Sequence, residues 1–399
     1  MAKGEEGFIY LDHAATTAVH PRVLEAMLPF FTQHFSNPSS MYRQAQECRQ
    51  AIDRSRNAVA QVLGCRPAEI IFTSGGTESD NTAIRGMALA LRDAGNHIIT
   101  TAVEHHAVLH TCHALQKQGF ETTYLPVDQY GMVRLEDLES AITPKTVLVS
   151  IMLANNEVGT IQPLAEAAAL VKQKARSLGT TIVLHTDAVQ GGAYLDLHVD
   201  RLGVDALSLS SHKFNGPKGV GVLYLRRATP FEPQQLGGSH ERDRRAGTEN
   251  VPGIVGTGAA LTLAAEERES NVEQCLLLRD RLIAGISDGI AGSHLNGHAV
   301  SRLPNNVNFS FENTDSQWFL MALDEAGVAA SSGSACNTAS LEASHVLTAM
   351  GLPADLAIGT LRLTVGPENT VQEIDRVLGL LPETIRQVRA SAPKAGNYL

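Results

Sequence analysis

Ala206-Leu207-Ser208-Leu209-Ser210-Ser211-His212-Lys213 is a short apolar run of strand type that closes on a lysine. Lysine is rarely buried without a partner or a task. Desolvation behind a buried strand lowers the pKa of the amine and makes it nucleophilic, as covalent capture of a carbonyl requires. A lysine that snorkels from the strand end to solvent is the plainer reading of this segment alone. Upstream, runs of the same kind occur at 69–73, 97–101, 122–126, 146–151 and 181–185. Stretches of helical period separate them at 80–91, 109–118 and 164–178. In the last of these, Leu164, Ala168, Val171, Ala175 and Leu178 recur at spacings of three and four and share one face. The alternation predicts an α/β fold, a mainly parallel sheet wrapped by helices, with ligands bound beyond the carboxyl ends of the strands.

From about residue 259 the pattern changes to a long helical stretch, 261–290, then a strand at 306–311 and a helix at 316–326. This predicts a second, smaller α+β domain. The expected division is a large domain over 17–260 and a small one made of 1–16 and 261–399. A length of 399 residues suits two domains better than one. Hydrophobic residues at 43% and charged residues at 19% are ordinary for a globular enzyme. A formal charge of -10, from 32 Lys+Arg against 42 Asp+Glu, argues against a nucleic-acid surface, although Arg242, Arg244 and Arg245 cluster locally.

The first residues are polar and acidic, unlike a secretory signal. The longest mostly apolar stretch, 254–265, contains Gly and Thr and falls short of the roughly 18 to 20 residues that span a bilayer. A cytoplasmic protein without a membrane segment is expected. Five cysteines at irregular spacings suit a reducing compartment better than a disulfide framework, so a functional cysteine would be a free thiol.

Two further strand ends stand out. Ser74-Gly75-Gly76-Thr77-Glu78-Ser79 follows the 69–73 run and leads into a helix. Glycines permit close backbone approach and a helix start offers unpaired N–H groups, so the segment reads as a phosphate cradle or as an ordinary capped helix start. Thr186-Asp187-Ala188-Val189-Gln190 follows the 181–185 run. A carboxylate behind a buried strand needs a cation or donors, and a structural salt bridge and a cofactor contact both satisfy that need. Taken together, a phosphate cradle, an acid for a ring nitrogen and a carbonyl-capturing lysine describe a site for pyridoxal phosphate.

Two more segments bear on chemistry. His105, His106, His110 and His113 have spacings that could imitate a metal site, but only Cys112 offers a completing ligand nearby, and no metal is expected. The segment 329–340, Ala-Ala-Ser-Ser-Gly-Ser-Ala-Cys-Asn-Thr-Ala-Ser, is almost wholly small or polar and reads as a mobile loop around Cys336. A thiol there has little to bury it and reads as reactive.

The chain resembles the class V branch of fold-type I pyridoxal-phosphate enzymes, and within it the group I (NifS/IscS-like) cysteine desulfurases. The resemblance runs from Tyr10-Leu11-Asp12-His13-Ala14-Ala15-Thr16-Thr17 to Leu361-Arg362-Leu363-Thr364-Val365-Gly366. Between lie Thr73-Ser74-Gly75-Gly76-Thr77-Glu78-Ser79-Asp80-Asn81, Glu104-His105-His106-Ala107-Val108, Asn155-Asn156-Glu157-Val158-Gly159, Asp187-Ala188-Val189-Gln190, Ser210-Ser211-His212-Lys213 and Arg245-Ala246-Gly247-Thr248. Ser332-Gly333-Ser334-Ala335-Cys336 matches the group I signature around the sulfur-accepting cysteine.

The resemblance implies a large domain with a mainly parallel seven-stranded sheet. It implies that Lys213 carries pyridoxal 5'-phosphate and later moves protons, that Asp187 pairs with the ring nitrogen, and that Gln190 bonds the phenolic oxygen. His105 would stack on the ring and act as an acid/base. Gly76, Thr77, Ser210 and His212 would bind the phosphate, with Thr248 reaching in from the other subunit of a homodimer. Arg362 would hold the substrate carboxylate, assisted by Asn156. The implied reaction removes sulfur from L-cysteine, leaving L-alanine and a persulfide on Cys336 for an acceptor such as an iron–sulfur scaffold or a tRNA-thiolation protein. A selenocysteine lyase, a class V aminotransferase and a pyridoxal-binding assembly protein without turnover are the rival readings.

Overall fold

The computed structural model describes residues 7–332 and 343–391, so Cys336 and most of the 329–340 segment lie outside the described residues. The strands are β1 (Ile9–Tyr10), β2 (Ile70–Thr73), β3 (His97–Thr101), β4 (Glu121–Leu125), β5 (Thr146–Ser150), β6 (Val183–Asp187), β7 (Ala206–Ser210), β8 (Gly221–Leu225), β9 (Ser293–Leu295), β10 (Asn306–Phe311), β11 (Val328–Ala329) and β12 (Thr360–Thr364). A seven-stranded sheet has the order β2-β8-β7-β6-β5-β3-β4. Neighbours among β3, β4, β5, β6 and β7 pair in parallel, whereas β8 pairs antiparallel with both β2 and β7. The fold is the expected α/β architecture.

Every residue of β2, β3, β5, β6 and β7 is buried, because helices cover both faces of the sheet. On one face, Ile52 and Val59 of the helix Arg43–Leu63, Val171 of Leu164–Leu178 and Leu261 of Val251–Glu266 pack against Phe72, Leu184 and Leu207. On the other, Ile84 and Met87 of Gly76–Ala90 and Val108 of His106–Gln116 pack against Ile71, Ile98 and Val183. A separate core surrounds the three-stranded antiparallel sheet of β9, β10 and β12. There Phe309, Phe311 and Leu363 meet Leu282 and Ile286 of Arg268–Gly289 and Val377 and Leu381 of Val371–Ser391. Ile9 and Leu11 join this second core, β1 pairs with β11, and Asp12 bridges to Thr364. The N-terminal segment is thereby tied to the strand that carries Arg362.

The structure corrects several boundaries. The helical stretch expected over 261–290 is two helices that meet at Glu267, where φ is -96° and ψ is 3°. The first buries Ile254 and Leu261 in the large sheet's core and the second buries Cys275 and Leu278 in the other, so one continuous helix does not serve both. β6 starts at Val183 and contains Asp187, which the sequence placed beyond the strand. The helix expected from 80 begins at Gly76, and the one expected from 109 begins at His106. Gly75 caps the former with φ of +155°, and a Cβ at Gly221 of β8 would meet the Gly75 carbonyl carbon at 2.5 Å. Glycine at both positions lets β8 pass directly behind the turn that begins the helix.

One buried ion pair fastens the segment that follows β8. Arg56, on the helix Arg43–Leu63, grips Glu241 with Nη1 2.6 Å from Oε2 and Nη2 2.8 Å from Oε1. Both residues are buried. Glu241 also accepts the Phe72 N–H of β2 at 3.2 Å, and the Arg56 guanidinium lies 4.9 Å from the Phe72 ring centre. Glu241, Arg242 and Asp243 all adopt left-handed backbone, with φ of 46°, 58° and 62°. That conformation costs a non-glycine residue about 1–2 kcal/mol, which the ion pair must offset. Glu241→Ala should therefore lower stability by about 3–5 kcal/mol, because it strands a buried guanidinium. Glu121→Ala, which removes an exposed partner 3.9 Å from Lys145, should cost no more than about 1 kcal/mol. Urea unfolding of the two variants checks the contrast.

Candidate active site

The carboxyl ends of β2, β3, β5, β6 and β7 open on one cavity of about 350 Å³. Gly76 and Thr77 reach it from the first turn of the helix after β2, a turn whose leading N–H groups have no intrahelical acceptor. His105 reaches it from the loop after β3 and caps the next helix, its Nδ1 accepting the Ala107 N–H at 3.1 Å. Asn156 follows β5; Asp187 and Gln190 come from β6 and the turn after it; Ser210, His212 and Lys213 come from the end of β7. Arg362 enters from β12 of the other sheet. Thr248 is exposed and lies outside the cavity.

Adjacent look-alikes are separated by their bonds. Asn155 is fully buried and spends its side chain on backbone: Nδ2 donates to the Val103 carbonyl at 2.9 Å, and Oδ1 accepts the N–H groups of Glu157 and Val158. Asn156 is the asparagine on the cavity wall. His106 also borders the cavity, but its ring packs against His345 and His110, with centroids 4.7 and 4.9 Å away. Among the described residues no group of His, Cys, Asp and Glu converges on a metal position.

The N-terminal segment closes one wall. Lys213 Nζ donates to the carbonyls of Ala14 and Ala15 at 2.5 and 2.7 Å, and Gln190 Nε2 donates to Ala14 at 3.1 Å. His212 Nδ1 lies 3.1 Å from the Thr16 hydroxyl. Burial, reinforced by Lys213, pushes His105 and His212 down to about 4, so both rings are neutral near pH 7. Arg362, 2% exposed, is oriented by the Asn156 carbonyl on Nη1 at 2.9 Å and by Asp12 on Nη2 at 2.8 Å. Its backbone exchanges hydrogen bonds with Ser331, the last turn of chain before the cysteine signature.

The floor is acidic. Asp187 is buried, its Oδ1 accepts the Val189 N–H at 2.9 Å, and burial raises it to about 6 against the pull of that bond and of Lys213. Asp80, quoted within the 73–81 motif but given no role from sequence, lines the same cavity, and its Oδ1 has no hydrogen-bond partner among the described residues. Ala83, Ile84 and Met87 mark the buried face of its helix, and a carboxyl on that face was the signal that a helix start placed at 80 concealed. The buried carboxylate of Asp187 calls for a cation, and the hydroxyls and helix N–H groups at Ser210, Gly76 and Thr77 on the same cavity call for an anion. Pyridoxal phosphate carries both, with a protonated ring nitrogen and a phosphate, and an aldehyde for Lys213 between them.

Fold and cavity define a fold-type I pyridoxal-phosphate enzyme. The family model described as Aminotransferase class-V matches residues 9–377, and the chain belongs to that family and, within it, to the cysteine desulfurases. It is 51% identical over 389 residues to a protein of Methanosarcina thermophila named Cysteine desulfurase IscS, covering 98% of this chain and 95% of that one. It is 48% identical over 393 residues to a Clostridium botulinum protein of the same name, covering 98% of each. A solved structure titled NifS-like protein superimposes with a TM-score of 0.89 at 38% identity, covering 95% of this chain and all (100%) of that one.

The raised Asp187 has a consequence for the cofactor-free protein. A carboxyl whose folded value, about 6, exceeds the unfolded one, near 4, contributes stability below the unfolded value and loses it as pH rises through the folded one. Cofactor-free Asp187→Asn should therefore melt above the wild type at pH 7.5 and match it below about pH 4. Thermal denaturation across that pH range checks the sign.

Proposed function

We propose that this chain takes the sulfur of L-cysteine onto Cys336 and releases L-alanine, using pyridoxal phosphate held by Lys213, Asp187, Gln190, Ser210, His212, Gly76 and Thr77. Pyridoxal phosphate, when bound, supplies an electron sink for charge that develops at the substrate α-carbon. The observation that carries the proposal is the meeting of Lys213, Asp187 and Arg362 on one cavity, with Ser331 bonded to the backbone of Arg362.

The side chains divide the work by their chemistry. Arg362, already oriented by Asn156 and Asp12, presents a rigid fork that suits a carboxylate bidentately and so fixes which end of an amino acid faces inward. Lys213 Nζ, beside the α-carbon so positioned, takes and returns the α-proton. His105, neutral near pH 7 and with Nδ1 accepting the Ala107 N–H, carries its proton on Nε2 and would donate from there to groups bound in the cavity. The Cys336 thiolate attacks the substrate sulfur. An S–S bond forms as the substrate Cβ–S bond breaks, and the carbon fragment keeps the electron pair, takes up protons and leaves as alanine.

The other cysteines support the choice of Cys336. Cys48, Cys65, Cys112 and Cys275 are free thiols, and burial pushes Cys65, Cys112 and Cys275 up to about 12 and raises Cys48. They are poor nucleophiles at neutral pH. Free thiols and the absence, among the described residues, of any helix long and apolar enough to cross a membrane fit a cytoplasmic enzyme. The exposed Thr248, on a segment fastened by the Arg245–Glu78 pair at 2.8 Å, fits a homodimer in which it completes the partner's phosphate site. The persulfide then passes to an acceptor of the iron–sulfur scaffold or tRNA-thiolation type.

Lys213→Ala should lose the absorbance of the covalently held cofactor. Cys336→Ala should keep that absorbance and stop alanine formation from cysteine; alanine at the wild-type rate would refute the sulfur route. Arg362→Lys should lower kcat/KM for cysteine roughly 10- to 100-fold while cofactor absorbance persists. Turnover that depends on an added keto acid would instead mark an aminotransferase.

A further inference from the structure

We infer that Asp80 is a further positioning residue of the cofactor site, a neutral carboxylic acid beside Asp187 that leaves the negative charge of the pair on Asp187, where the ring nitrogen binds. The inference rests on the pyridoxal-phosphate reading of the cavity.

Asp80 is 1% exposed and lines the cavity together with Asp187. Behind it stands His185, fully buried, whose Nε2 is 3.6 Å from Asp80 Oδ1. That imidazole is held between hydroxyls, with Nδ1 2.9 Å from Ser150 Oγ and Nε2 3.0 Å from Ser208 Oγ. Burial pushes it down to about 3, so it is no counter-cation for a carboxylate. Ser150, His185 and Ser208 thus form a hydrogen-bonded line of neutral polar groups behind Asp80.

The charged neighbours decide where a proton must sit. Glu104, on the loop after β3, is 0% exposed; its Oε1 accepts the Thr101 hydroxyl at 2.8 Å and the Met152 N–H at 2.9 Å. Burial raises Glu104 to about 8, so it is already neutral at pH 7. Lys213 lies on the cofactor side and is committed to the aldehyde. Glu157 also borders the cavity and accepts the Ser344 hydroxyl at 2.5 Å; Asp80 and Asp187 are the two aspartates that the cavity sets against the single positive charge of a ring nitrogen. Two buried carboxyls on one cavity disfavour each other's ionisation, and their protons come off as those of a pair. Asp187 has the Val189 N–H to stabilise an anion. Asp80 has an unpartnered Oδ1, and burial together with Asp187 raises it well above the ordinary aspartate range. The proton belongs on Asp80.

Reconstitution of cofactor-free protein with pyridoxal phosphate, followed by absorbance titration, separates the roles. Asp80→Asn keeps a neutral polar head, so its Kd for the cofactor and the pH at which the bound cofactor's absorbance changes should stay within about threefold and a few tenths of a unit of wild type. Asp187→Asn should weaken binding at least about tenfold. A loss in Asp80→Asn as large as that in Asp187→Asn would overturn the inference, since Asp80 would then carry the charge. Difference infrared spectra give a second measure that does not depend on affinity. A buried protonated carboxyl band that disappears in Asp80→Asn supports the assignment, and a band unchanged by that substitution contradicts it. Failure of the wild-type protein to take up pyridoxal phosphate would instead refute the reading of the cavity itself.

Discussion

The carboxylate of Asp187, fixed at the end of β6 and almost removed from water, is the constraint around which the site is organised. A buried anion is costly unless positive charge stands against it, and among the described residues one backbone N–H, that of Val189, is bonded to it. The parallel strands β5, β6 and β7 end side by side and deliver Asn156, Asp187 and Lys213 to one opening. The same register sets the helix start at Gly76 on the opposite side, so the cavity is negative at its floor and lined with N–H and O–H donors at its rim. A ligand that is cationic at one end and anionic at the other is selected by that polarity before any specific contact is considered.

The second sheet completes what the first cannot. The large sheet supplies most of the cavity's polar groups, while the Arg362 guanidinium comes from β12, whose neighbours are β10 and the Asp12 bridge. Residues 9–17 connect the two cores: Ile9 and Leu11 pack in the second, Asp12 orients Arg362, and the carbonyls of Ala14 and Ala15 receive Lys213. A displacement of this one segment would disturb Arg362 and Lys213 together. This dual contact explains, in physical terms, why a motif near the start of the chain belongs to a site whose lysine and arginine lie far along it.

Much of this was legible in the sequence, for identifiable reasons. Strands covered on both faces are nearly solid apolar runs, so β2, β3, β5 and β7 were read within a residue or two, and a lysine or carboxylate behind such a run stands out. Glycines at 75 and 76 read as a turn and concealed the true start of the helix, and with it the buried face on which Asp80 sits. β8 went unread because it is antiparallel and follows the Gly-Pro-Lys-Gly segment too closely for a crossover. The buried pair of Arg56 and Glu241, far apart in sequence, leaves no local pattern at all, and the local cluster of Arg242, Arg244 and Arg245 includes a strained turn held by that pair. The break at Glu267 follows from a change of core, which periodicity within one helix does not report.

The account comes together in the fate of one sulfur atom. Three of the four described thiols are buried and all four are raised, and Arg362 of β12 is hydrogen-bonded through its backbone to Ser331 just before the signature that contains Cys336. The most direct measurement is mass spectrometry of peptides from the pyridoxal-phosphate-loaded protein after a brief exposure to L-cysteine without an acceptor. The account predicts a gain of one sulfur atom on the peptide that contains Cys336, reversed by a reducing thiol. An added sulfur on another cysteine, or none while alanine accumulates, would contradict it.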